Sequence, residues 1–343
     1  MRFVLASTFV PFVNGGARFI VEWLEQKLLE HGHEVERFYL PFVETPDSLM
    51  TQVAALRLID LSDAGDRLIA FRPPAHVLRH PHKILWFIHH IRAYYDLWDS
   101  EYGPPPTPAN RALRGALRQL DTATLGEARQ VFTNSQIVAD RLRIYNGVPA
   151  TPLYPPILDP SRFRPGPYGD EIVAICRMEP HKRQHLLVEA MTHTRTPVRL
   201  RLCGRTSGEA YAQTLRAAVE AAPPNRVILE DRWVSELEKA DLLAGALAVA
   251  YLPHNEDSYG YPSLEAAHAE KAVITTTDAG GVLELIRDGR NGFICPPDPR
   301  AIAERFDELY LDRARARALG CANRDRVRDL RIDWDRVVSA FCQ

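Results

Sequence analysis

The sequence predicts an α/β protein made of two similar domains, each a parallel sheet covered by helices. Short apolar runs alternate with amphipathic segments of helical length through both halves of the chain. This alternation is typical of βαβ units and a parallel sheet. Several of the runs are apolar throughout, as expected for strands that are buried on both faces. The length of 343 residues fits two domains of ordinary size.

The N-terminal half contains the first series of strands and helices. A buried strand at residues 3–6 leads to a glycine-rich turn, Asn14-Gly15-Gly16, and then to a helix at 19–29. Further strands are predicted at 34–39, 67–71, 84–88 and 131–133, and a further helix at 110–125. The turn lacks the GxGxxG spacing of a dinucleotide-binding fold, so we expect its glycines to let the backbone approach a ligand closely.

A linker and a second series follow. Residues 154–167 contain five prolines, a composition typical of a connection between domains. The second half repeats the alternation, with a helix from Gln184 and strands predicted at 172–176, 198–203, 227–229, 247–252 and 272–275.

Composition excludes several classes of protein. A formal net charge of −2 argues against a dedicated nucleic-acid binder. The five cysteines are scattered without CxxC spacing, which indicates neither a disulfide framework nor a zinc site. No apolar stretch approaches the roughly 18 residues that span a bilayer, and the first residues lack the layout of a signal peptide. We therefore expect a soluble, cytoplasmic protein without a metal or other cofactor.

The stretch from Pro253 to Glu265 follows a predicted strand and begins a helix. It contains a glycine and two carboxylates, Asp257 and Glu265, eight positions apart. The backbone N–H groups of residues 258–261 would then lie beyond the carboxyl edge of the sheet, where a helix start favours an anion. An ordinary crossover loop with solvated acidic residues explains this stretch equally well when it is taken alone.

A second stretch, from Cys176 to Lys182, adds two cations. Arg177 ends one strand and Lys182 precedes a helix, so we expect both at the same edge of the second sheet. A diphosphate is recognised by this combination of a bidentate guanidinium, a point-charge ammonium and backbone donors. Each cation about 4 Å from a phosphate contributes ~4 kcal/mol at an effective dielectric constant near 20. The sequence therefore predicts a diphosphate site.

The strand at 84–88 ends in a polar and aromatic segment. His89 follows it directly, and the candidate acceptor contacts lie just beyond: Arg92, Tyr94 and Tyr95. Aromatic rings stack on the C–H faces of sugars, while His and Arg bind hydroxyl groups, so we expect a sugar here. An ordinary loop with partly buried aromatic residues is the alternative.

The helix at 110–125 has a basic face formed by Arg111, Arg114 and Arg118. Most faces of this kind are simply solvated. The alternative is peripheral contact with an anionic membrane, here the inner membrane face, or with an acidic partner.

The order and spacing of the motifs resemble those of the retaining glycosyltransferases of family 4, which belong to glycosyl transferase group 1. The motifs that carry the resemblance are Gly15-Gly16-Ala17, Gly32-His33-Glu34-Val35, Ile88-His89, Thr133-Asn134-Ser135, Tyr154-Pro155-Pro156, Arg177 with Lys182, Asp257 with Glu265, Asp278-Ala279-Gly280-Gly281, Asp288-Gly289, Asn291-Gly292-Phe293 and Trp334. The resemblance implies the GT-B fold, two facing Rossmann-like αβα domains with a cleft between them. Residues 1–160, with a crossover helix at about 330–343, would be the acceptor-side domain, and residues 168–329 the nucleotide-sugar-binding domain.

The resemblance also implies roles for individual residues. Arg177 and Lys182 would bind the donor diphosphate, and Glu265 the ribose hydroxyls. The backbone near Trp233 would contact the base. The remaining donor contacts would be the backbone of Ser258, Tyr259, Gly260 and Tyr261, and the glycines Gly15 and Gly16. The catalytic residues would be His89, which contacts the transferred sugar, Arg177, Lys182 and Asp257.

One position departs from the family pattern. The first glutamate of the family's acidic pair is Asp257 here, with Glu256 beside it, and either carboxylate is a candidate for the role. Ser258 stands where the family often has glycine, which restricts the loop slightly.

The implied reaction moves a hexose from a nucleotide-diphosphate sugar to a glycan or lipid-linked acceptor. It would retain configuration by front-face displacement and need no metal. A sugar-nucleotide epimerase and a non-catalytic nucleotide-sugar binding module share the fold and stay open as alternatives. The sequence does not identify the donor base (UDP, GDP or dTDP), the sugar or the acceptor.

Overall fold

The chain divides into two compact units of alternating strands and helices. The structure, a computed structural model, describes residues 1–8 and 15–343. The first unit comprises Met1–Pro156 and Ile332–Gln343, and the second comprises Ile157–Arg331. Each unit contains a six-stranded parallel sheet with helices. The predicted α/β class with two parallel sheets is confirmed.

The elements of the described ranges are as follows. The strands are β1 (Arg2–Thr8), β2 (Glu34–Leu40), β3 (Arg67–Ala70), β4 (Lys83–Phe87), β5 (Gln130–Thr133), β6 (Thr151–Pro152), β7 (Glu171–Ile175), β8 (Arg199–Cys203), β9 (Val227–Glu230), β10 (Ala248–Ala250), β11 (Val273–Thr276) and β12 (Gly292–Cys295). The helices are α1 (Gly16–Glu30), α2 (Pro46–Arg57), α3 (Pro108–Leu125), α4 (Gln136–Asn146), α5 (Gln184–Met191), α6 (Glu209–Ala221), α7 (Glu236–Gly245), α8 (Tyr261–His268), α9 (Val282–Leu285), α10 (Pro299–Leu311), α11 (Arg313–Asp329) and α12 (Trp334–Cys342).

The sheet of the first unit has the strand order β2-β1-β3-β4-β5-β6 and a core on each face. Successive side chains of β1 alternate between the two cores, as the strand period of two requires. Phe3 and Leu5 pack with α1 and α12, whereas Val4 and Ala6 pack on the opposite side with α2 and α3. Both faces of the sheet are therefore covered at β1, which explains why residues 3–6 of this strand are all apolar.

The last helix, α12, belongs to the first unit. Its side chains Trp334, Val337 and Phe341 are buried in the core that contains α1. Arg67 of β3 donates hydrogen bonds to the carbonyl oxygens of Phe341 and Cys342, at 2.5 and 3.2 Å. A guanidinium at this position satisfies carbonyl groups that the helix end leaves without intrahelical donors.

The sheet of the second unit has the order β12-β11-β10-β7-β8-β9. The direction of chain progression reverses between β10 and β7, which are adjacent strands. In open parallel sheets a ligand binds beyond the carboxyl ends of the strands at such a reversal. The loops that leave these two strands are the predicted diphosphate-binding stretches.

Several boundaries differ from the sequence-based expectations. Strand β10 spans Ala248–Ala250, shorter than the predicted 247–252, because only its centre pairs with both neighbours. Helix α8 begins at Tyr261, which makes Pro262 its second residue. Helices α2, α6, α7 and α9 and strands β6 and β12 were not predicted. In the described part of the chain, every helix is either too short or too polar to cross a membrane.

Candidate active site

Two loops meet at the strand reversal of the second unit. The loop after β7 carries Arg177 and Lys182 before α5, and the loop after β10 carries Glu256 and Asp257 before α8. A backbone hydrogen bond of 2.8 Å from His254 N–H to the His181 carbonyl joins them. The structure thus brings together two stretches that are far apart in the sequence.

Lys182 lies at the centre of this junction. Its side chain is 10% exposed, and its ammonium forms an ion pair with Glu256. It also donates to the Tyr251 hydroxyl at 2.8 Å, and that hydroxyl donates to Glu256 Oε2 at 3.2 Å. Tyr251 was not predicted as a site residue, although it is the one hydroxyl side chain in the apolar run that precedes the loop.

Lys182 and Glu256 each stabilise the charged form of the other. Burial by itself disfavours the ammonium, but Tyr251 and Glu256 raise the pKa of Lys182 above its usual range. Burial likewise opposes ionisation of Glu256, while Lys182 lowers the pKa of that carboxyl below its usual value. Lys182 is therefore protonated and Glu256 ionised, with the Glu256 carboxylate engaged by the lysine.

Arg177 has a more accessible side chain than Lys182. Its side chain is 48% exposed, and its Nη1 lies 2.8 Å from Glu179 Oε1. The second carboxylate oxygen of Glu179 lies 3.1 Å from His181 Nε2. Nearly half of the Arg177 side chain is exposed, so its guanidinium is accessible to a phosphate, whereas its partner Glu179 is 10% exposed.

Glu265, on the first turns of α8, is 5% exposed and pairs with a lysine. Lys239 Nζ of α7 lies 2.6 Å from Glu265 Oε1 and 2.8 Å from Glu236 Oε1. Burial raises the pKa of Glu265, and Lys239 opposes that rise. Burial is the main cause that raises the pKa of Tyr261, and the nearby Glu265 carboxylate is the second. The lysine was missed by the sequence analysis because its 26-residue separation from Glu265 has no local signature.

The loop at residues 258–261 has a conformation that requires glycine. Gly260 has φ +70°, and a Cβ atom there would lie 2.3 Å from Cε1 of Tyr251. Tyr259 is 1% exposed and anchors the loop in the core. The backbone of Glu256 accepts from Gly281 N–H at 2.8 Å, which ties the loop to the segment after β11. The loop is therefore held in place before any ligand binds.

Arg183 is a third residue that sequence analysis missed, after Tyr251 and Lys239. It has φ +54°, and its guanidinium binds both oxygens of Asp278, at 2.8 and 2.7 Å. The same side chain donates to the carbonyl oxygens of Leu252 and Pro253 at 2.9 and 3.0 Å. The hydrogen bonds from Arg183 hold the pKa of Asp278 well below its usual range. Arg183 thus links the loops that leave β7, β10 and β11.

The predicted site residues of the first unit follow β1 and β4. Asn14 lies outside the described residues, Gly15 is the N-cap of α1, and Gly16 is its first residue. His89 Nδ1 lies 2.6 Å from the His90 carbonyl oxygen, so Nδ1 carries the proton and Nε2 is an acceptor. Burial and the nearby Arg72 lower the pKa of His89 to about 4, which keeps its ring neutral at physiological pH.

The predicted acceptor residues need a correction. Tyr94 and Tyr95 are 3% and 2% exposed and pack in the core of the first unit. The Tyr95 hydroxyl donates to Asp121 Oδ2 at 2.6 Å. Neither ring therefore has a face open to a sugar. Their position in a loop suggested that they are exposed, but large aromatic side chains are more favourably buried in the core. Arg92 binds Asp96 Oδ2 at 2.6 Å.

The basic face of α3 is also partly used inside the protein. The Arg114 guanidinium lies 4.6 Å from the Trp98 ring centroid, and Arg118 lies 5.4 and 5.1 Å from the Tyr95 and Tyr145 centroids. These are cation–π distances. Arg111 is exposed and donates to the Pro106 carbonyl. Two of the three arginines therefore stabilise the packing of an aromatic cluster.

Two further observations concern the donor site. Trp233, after β9, is 56% exposed, so its side chain is accessible to a ligand or solvent. Across residues 1–8 and 15–343, no group of three or more His, Cys, Asp or Glu side chains has the arrangement of a metal site.

Residues 162–326 match the model of a protein family described as glycosyl transferases group 1. The chain contains a glycosyl transferases group 1 domain. This group 1 domain includes both loops of the strand reversal, from Arg177 to Glu265. The recognition of this family from the sequence is confirmed, whereas assignment to family 4 is finer than the match.

Curated relatives match a part of the chain. Human alpha-1,3/1,6-mannosyltransferase ALG2 is 30% identical over 119 residues, which are 35% of this chain and 28% of that protein. A GDP-mannose-dependent alpha-(1-6)-phosphatidylinositol monomannoside mannosyltransferase from Mycobacterium tuberculosis is 28% identical over 207 residues, 54% of this chain and 53% of that protein. The matched segments thus span a quarter to a half of these relatives.

Solved structures match the whole chain, including the group 1 domain. Sucrose-phosphate synthase from Thermosynechococcus elongatus has a TM-score of 0.77 at 17% identity and covers 99% of this chain and 97% of its own. HepE from Anabaena in complex with UDP-glucose has a TM-score of 0.72 at 18% identity, covering 99% and 98%. WaaG, a glycosyltransferase involved in lipopolysaccharide biosynthesis, has a TM-score of 0.72 at 13% identity, covering 99% of both chains. These likenesses confirm the predicted GT-B fold; the cleft stays a prediction.

Proposed function

We propose that this protein is a retaining glycosyltransferase of family 4 that moves a hexose from a nucleotide-diphosphate sugar to a glycan or lipid-linked acceptor. One observation carries the proposal. Arg177, Lys182 and the preformed loop before α8 converge at the strand reversal of a group 1 domain. Two cations and backbone donors at a sheet's carboxyl edge suit a diphosphate.

The cations have different roles in this proposal. Lys182 keeps one of its three N–H donors for a phosphate oxygen after Tyr251 and Glu256 take two. Arg177 reaches the same group by leaving Glu179. As the bond to the sugar breaks, both cations stabilise the negative charge on the leaving diphosphate. That diphosphate accepts the proton of the acceptor hydroxyl, so the reaction needs neither a metal nor a strong protein base.

The first acidic position is assigned to Asp257 in this proposal. The Glu256 carboxylate is engaged by Lys182 and Tyr251, which leaves it poorly placed to bind a sugar hydroxyl. Asp257 orients the transferred sugar, and Glu265, held by Lys239, binds the ribose. Asp257→Asn should lower kcat and spare stability, whereas Glu256→Gln should mainly lower stability. The reverse pattern would assign the role to Glu256.

His89 is proposed to contact the transferred sugar. With its Nδ1 proton directed to the His90 carbonyl, Nε2 can accept a hydrogen bond from a sugar hydroxyl. The glycines Gly15 and Gly16, at the start of α1, and the backbone near Trp233 are proposed as further donor contacts.

The donor is identified by a binding screen with UDP-, GDP- and dTDP-sugars. The GDP-mannose-dependent mannosyltransferase from Mycobacterium tuberculosis favours GDP-mannose, and HepE in complex with UDP-glucose favours a UDP-sugar. Arg177→Ala should abolish most of the donor-induced thermal shift and reduce turnover by roughly 10²–10³. The matched control is Arg216→Ala, an exposed arginine that pairs with Glu209 on α6. Equal donor binding by Arg177→Ala and the control would refute the assignment.

The same screen separates the alternatives. An epimerase would convert the donor into a second nucleotide sugar with no acceptor present, and a binding module would bind the donor without turnover. Retention is tested by the anomeric configuration of the product in NMR spectra. Loss of transfer in EDTA, restored by Mg²⁺ or Mn²⁺, would contradict the metal-independent mechanism.

We also propose peripheral contact between α3 and an anionic membrane, centred on the exposed Arg111. Arg114 and Arg118 contribute less, because they contact aromatic rings of the first unit. Charge reversal at Arg111 should reduce co-sedimentation with anionic vesicles. Co-sedimentation that is insensitive to this change would count against the contact.

A further inference from the structure

A second cationic group, Arg72, lies in the first unit and has no role in the site described above. It lies two residues after β3, at the carboxyl end of that strand. The direction of chain progression in the first sheet reverses between β3 and its neighbour β1. Its side chain is 19% exposed. Burial lowers the pKa of its guanidinium, and Glu44 is the counteracting charge. The group nevertheless stays protonated, because arginine does not lose its proton in proteins.

Arg72 lacks a matching counter-charge. Among the described residues, the one carboxylate within ion-pair distance is Glu44, whose Oε1 lies 3.9 Å from Nη2 and whose side chain is 47% exposed. Within residues 1–8 and 15–343, the buried Nε has no hydrogen-bond partner. Residues 9–14, outside the described ranges, contain no acidic residue that could supply a charge. A buried donor without a partner costs free energy, so an anion that accepts a hydrogen bond from Arg72 would stabilise this site.

The neighbouring groups at this edge are a neutral histidine and two arginines that are paired with a carboxylate. His89, at the end of the adjacent strand β4, has a neutral ring because burial and Arg72 disfavour its protonation. Arg92 and Arg141 share one carboxylate, Asp96, whose Oδ2 lies 2.6 and 3.1 Å from their guanidinium nitrogens.

We propose that Arg72 binds a phosphate group of the acceptor at the carboxyl edge of the first unit's sheet. The inference rests on the proposed glycosyl transfer and names its acceptor class, a phosphorylated sugar or lipid. A phosphate monoester, with nearly two negative charges and three acceptor oxygens, suits a guanidinium whose nearest described carboxylate lies 3.9 Å away. The donor diphosphate has its own cations, Arg177 and Lys182, in the second unit.

The test measures binding of inorganic phosphate by calorimetry while saturating UDP or GDP fills the donor site. Arg72→Met is compared with wild type and with Arg143→Met, an exposed arginine of the same unit that lies 3.8 Å from Asp140. Wild type and Arg143→Met should bind phosphate. Arg72→Met should bind it at least about tenfold more weakly, the effect of losing a charge-assisted hydrogen bond.

Stability distinguishes a binding role from a structural one. Because Arg72→Met removes an uncompensated charge, its thermal midpoint should equal or exceed that of wild type, and phosphate should no longer raise it. A lowered midpoint with unchanged phosphate affinity would make Arg72 a structural residue and overturn the proposal.

The donor site offers the competing source of phosphate. If Arg72→Met weakens UDP or GDP binding and spares phosphate binding, Arg72 contacts the donor and the proposal is wrong. Absence of phosphate binding to the nucleotide-saturated wild type also overturns it. If neither nucleotide binds the wild type, the proposed function fails instead. Phosphate titration of the Arg177→Ala protein, with and without Arg72→Met, then still tests Arg72 separately.

Discussion

Replacing Lys182 by methionine separates the contribution of this lysine to stability from its contribution to catalysis. Its side chain is 10% exposed and that of its partner Glu256 is 25% exposed. The Tyr251 hydroxyl, 2.8 Å from Lys182 Nζ, completes the cluster. Methionine has a similar length and no charge, so the variant leaves the Glu256 carboxylate without its cation.

The magnitude follows from this burial. Removing one partner of a fully buried ion pair costs about 3–5 kcal/mol. Because a quarter of the Glu256 side chain reaches solvent, screening places Lys182→Met nearer ~2–3 kcal/mol. For a domain of this size, the thermal midpoint should fall on the order of 5–10 °C. Turnover should fall roughly 10²–10³ if Lys182 stabilises charge on the leaving diphosphate.

The double variant Lys182→Met/Glu256→Gln decides between the two contributions. It should recover most of the lost stability, because neither charge is left unpaired, while its turnover should stay as low as that of Lys182→Met. Thermal unfolding followed by circular dichroism and steady-state kinetics with the identified donor measure the two quantities, with Glu256→Gln as the control. Recovery of turnover in the double variant would refute the reasoning, since Lys182 would then serve only to neutralise Glu256. An unchanged midpoint in Lys182→Met would refute the estimate of stability.

Three further predictions concern other parts of the structure. Gly260→Ala places a Cβ 2.3 Å from the Tyr251 ring at φ +70° and should cost ~1–3 kcal/mol of stability; Gly208→Ala, where a Cβ meets nothing within 4 Å, is the control, and equal unfolding midpoints would contradict the prediction. Lys239→Met removes the cation that opposes the rise in the pKa of Glu265, with Glu236 and Tyr261 as the other titratable groups there. When the pH is lowered, the donor affinity of this variant, measured by calorimetry, should therefore decrease more steeply than that of wild type. Parallel pH profiles would show that Lys239 does not keep Glu265 ionised. Burial lowers the pKa of His90 and His268 to about 4 from 6.5, so the unfolded chain binds protons that the folded chain does not. The free energy of unfolding should be undiminished above about pH 6.5 and should fall as the pH approaches 4. The fall should be shallower in His268→Gln, and identical slopes for this variant and wild type would contradict the burial of the His268 ring.

Much of the fold was predictable because it is encoded in neighbouring residues. Apolar runs and amphipathic periods placed most strands within one or two residues and set the start of α5 at Gln184. The location of Arg177 and Lys182 at a strand end was predictable for the same reason. Helix α2 and strand β12 were not predicted because the hydrophobic periodicity of their segments is weaker and both segments lie between polar loops.

The partners of the site residues were not predictable, since they depend on strand order. Lys182 and Glu256 are 74 positions apart, and they meet because β7 and β10 are adjacent in the sheet. The choice between Glu256 and Asp257 therefore needed the tertiary structure. So did the burial of Tyr94 and Tyr95, because a loop of aromatic residues has no period that tells a core side chain from an exposed one.

The sequence by itself determined the class of fold, the positions of most elements and the family to which the chain is related, since these follow from local patterns and from motif order. Tertiary structure alone decided which charges are paired. Glu256 neutralises Lys182 and Lys239 holds Glu265, whereas among the described residues Arg72 has one carboxylate within ion-pair distance, the half-exposed Glu44 at 3.9 Å. The physical reason is that a charge's environment is set by groups brought close by crossover connections, and sequence separation does not measure that distance.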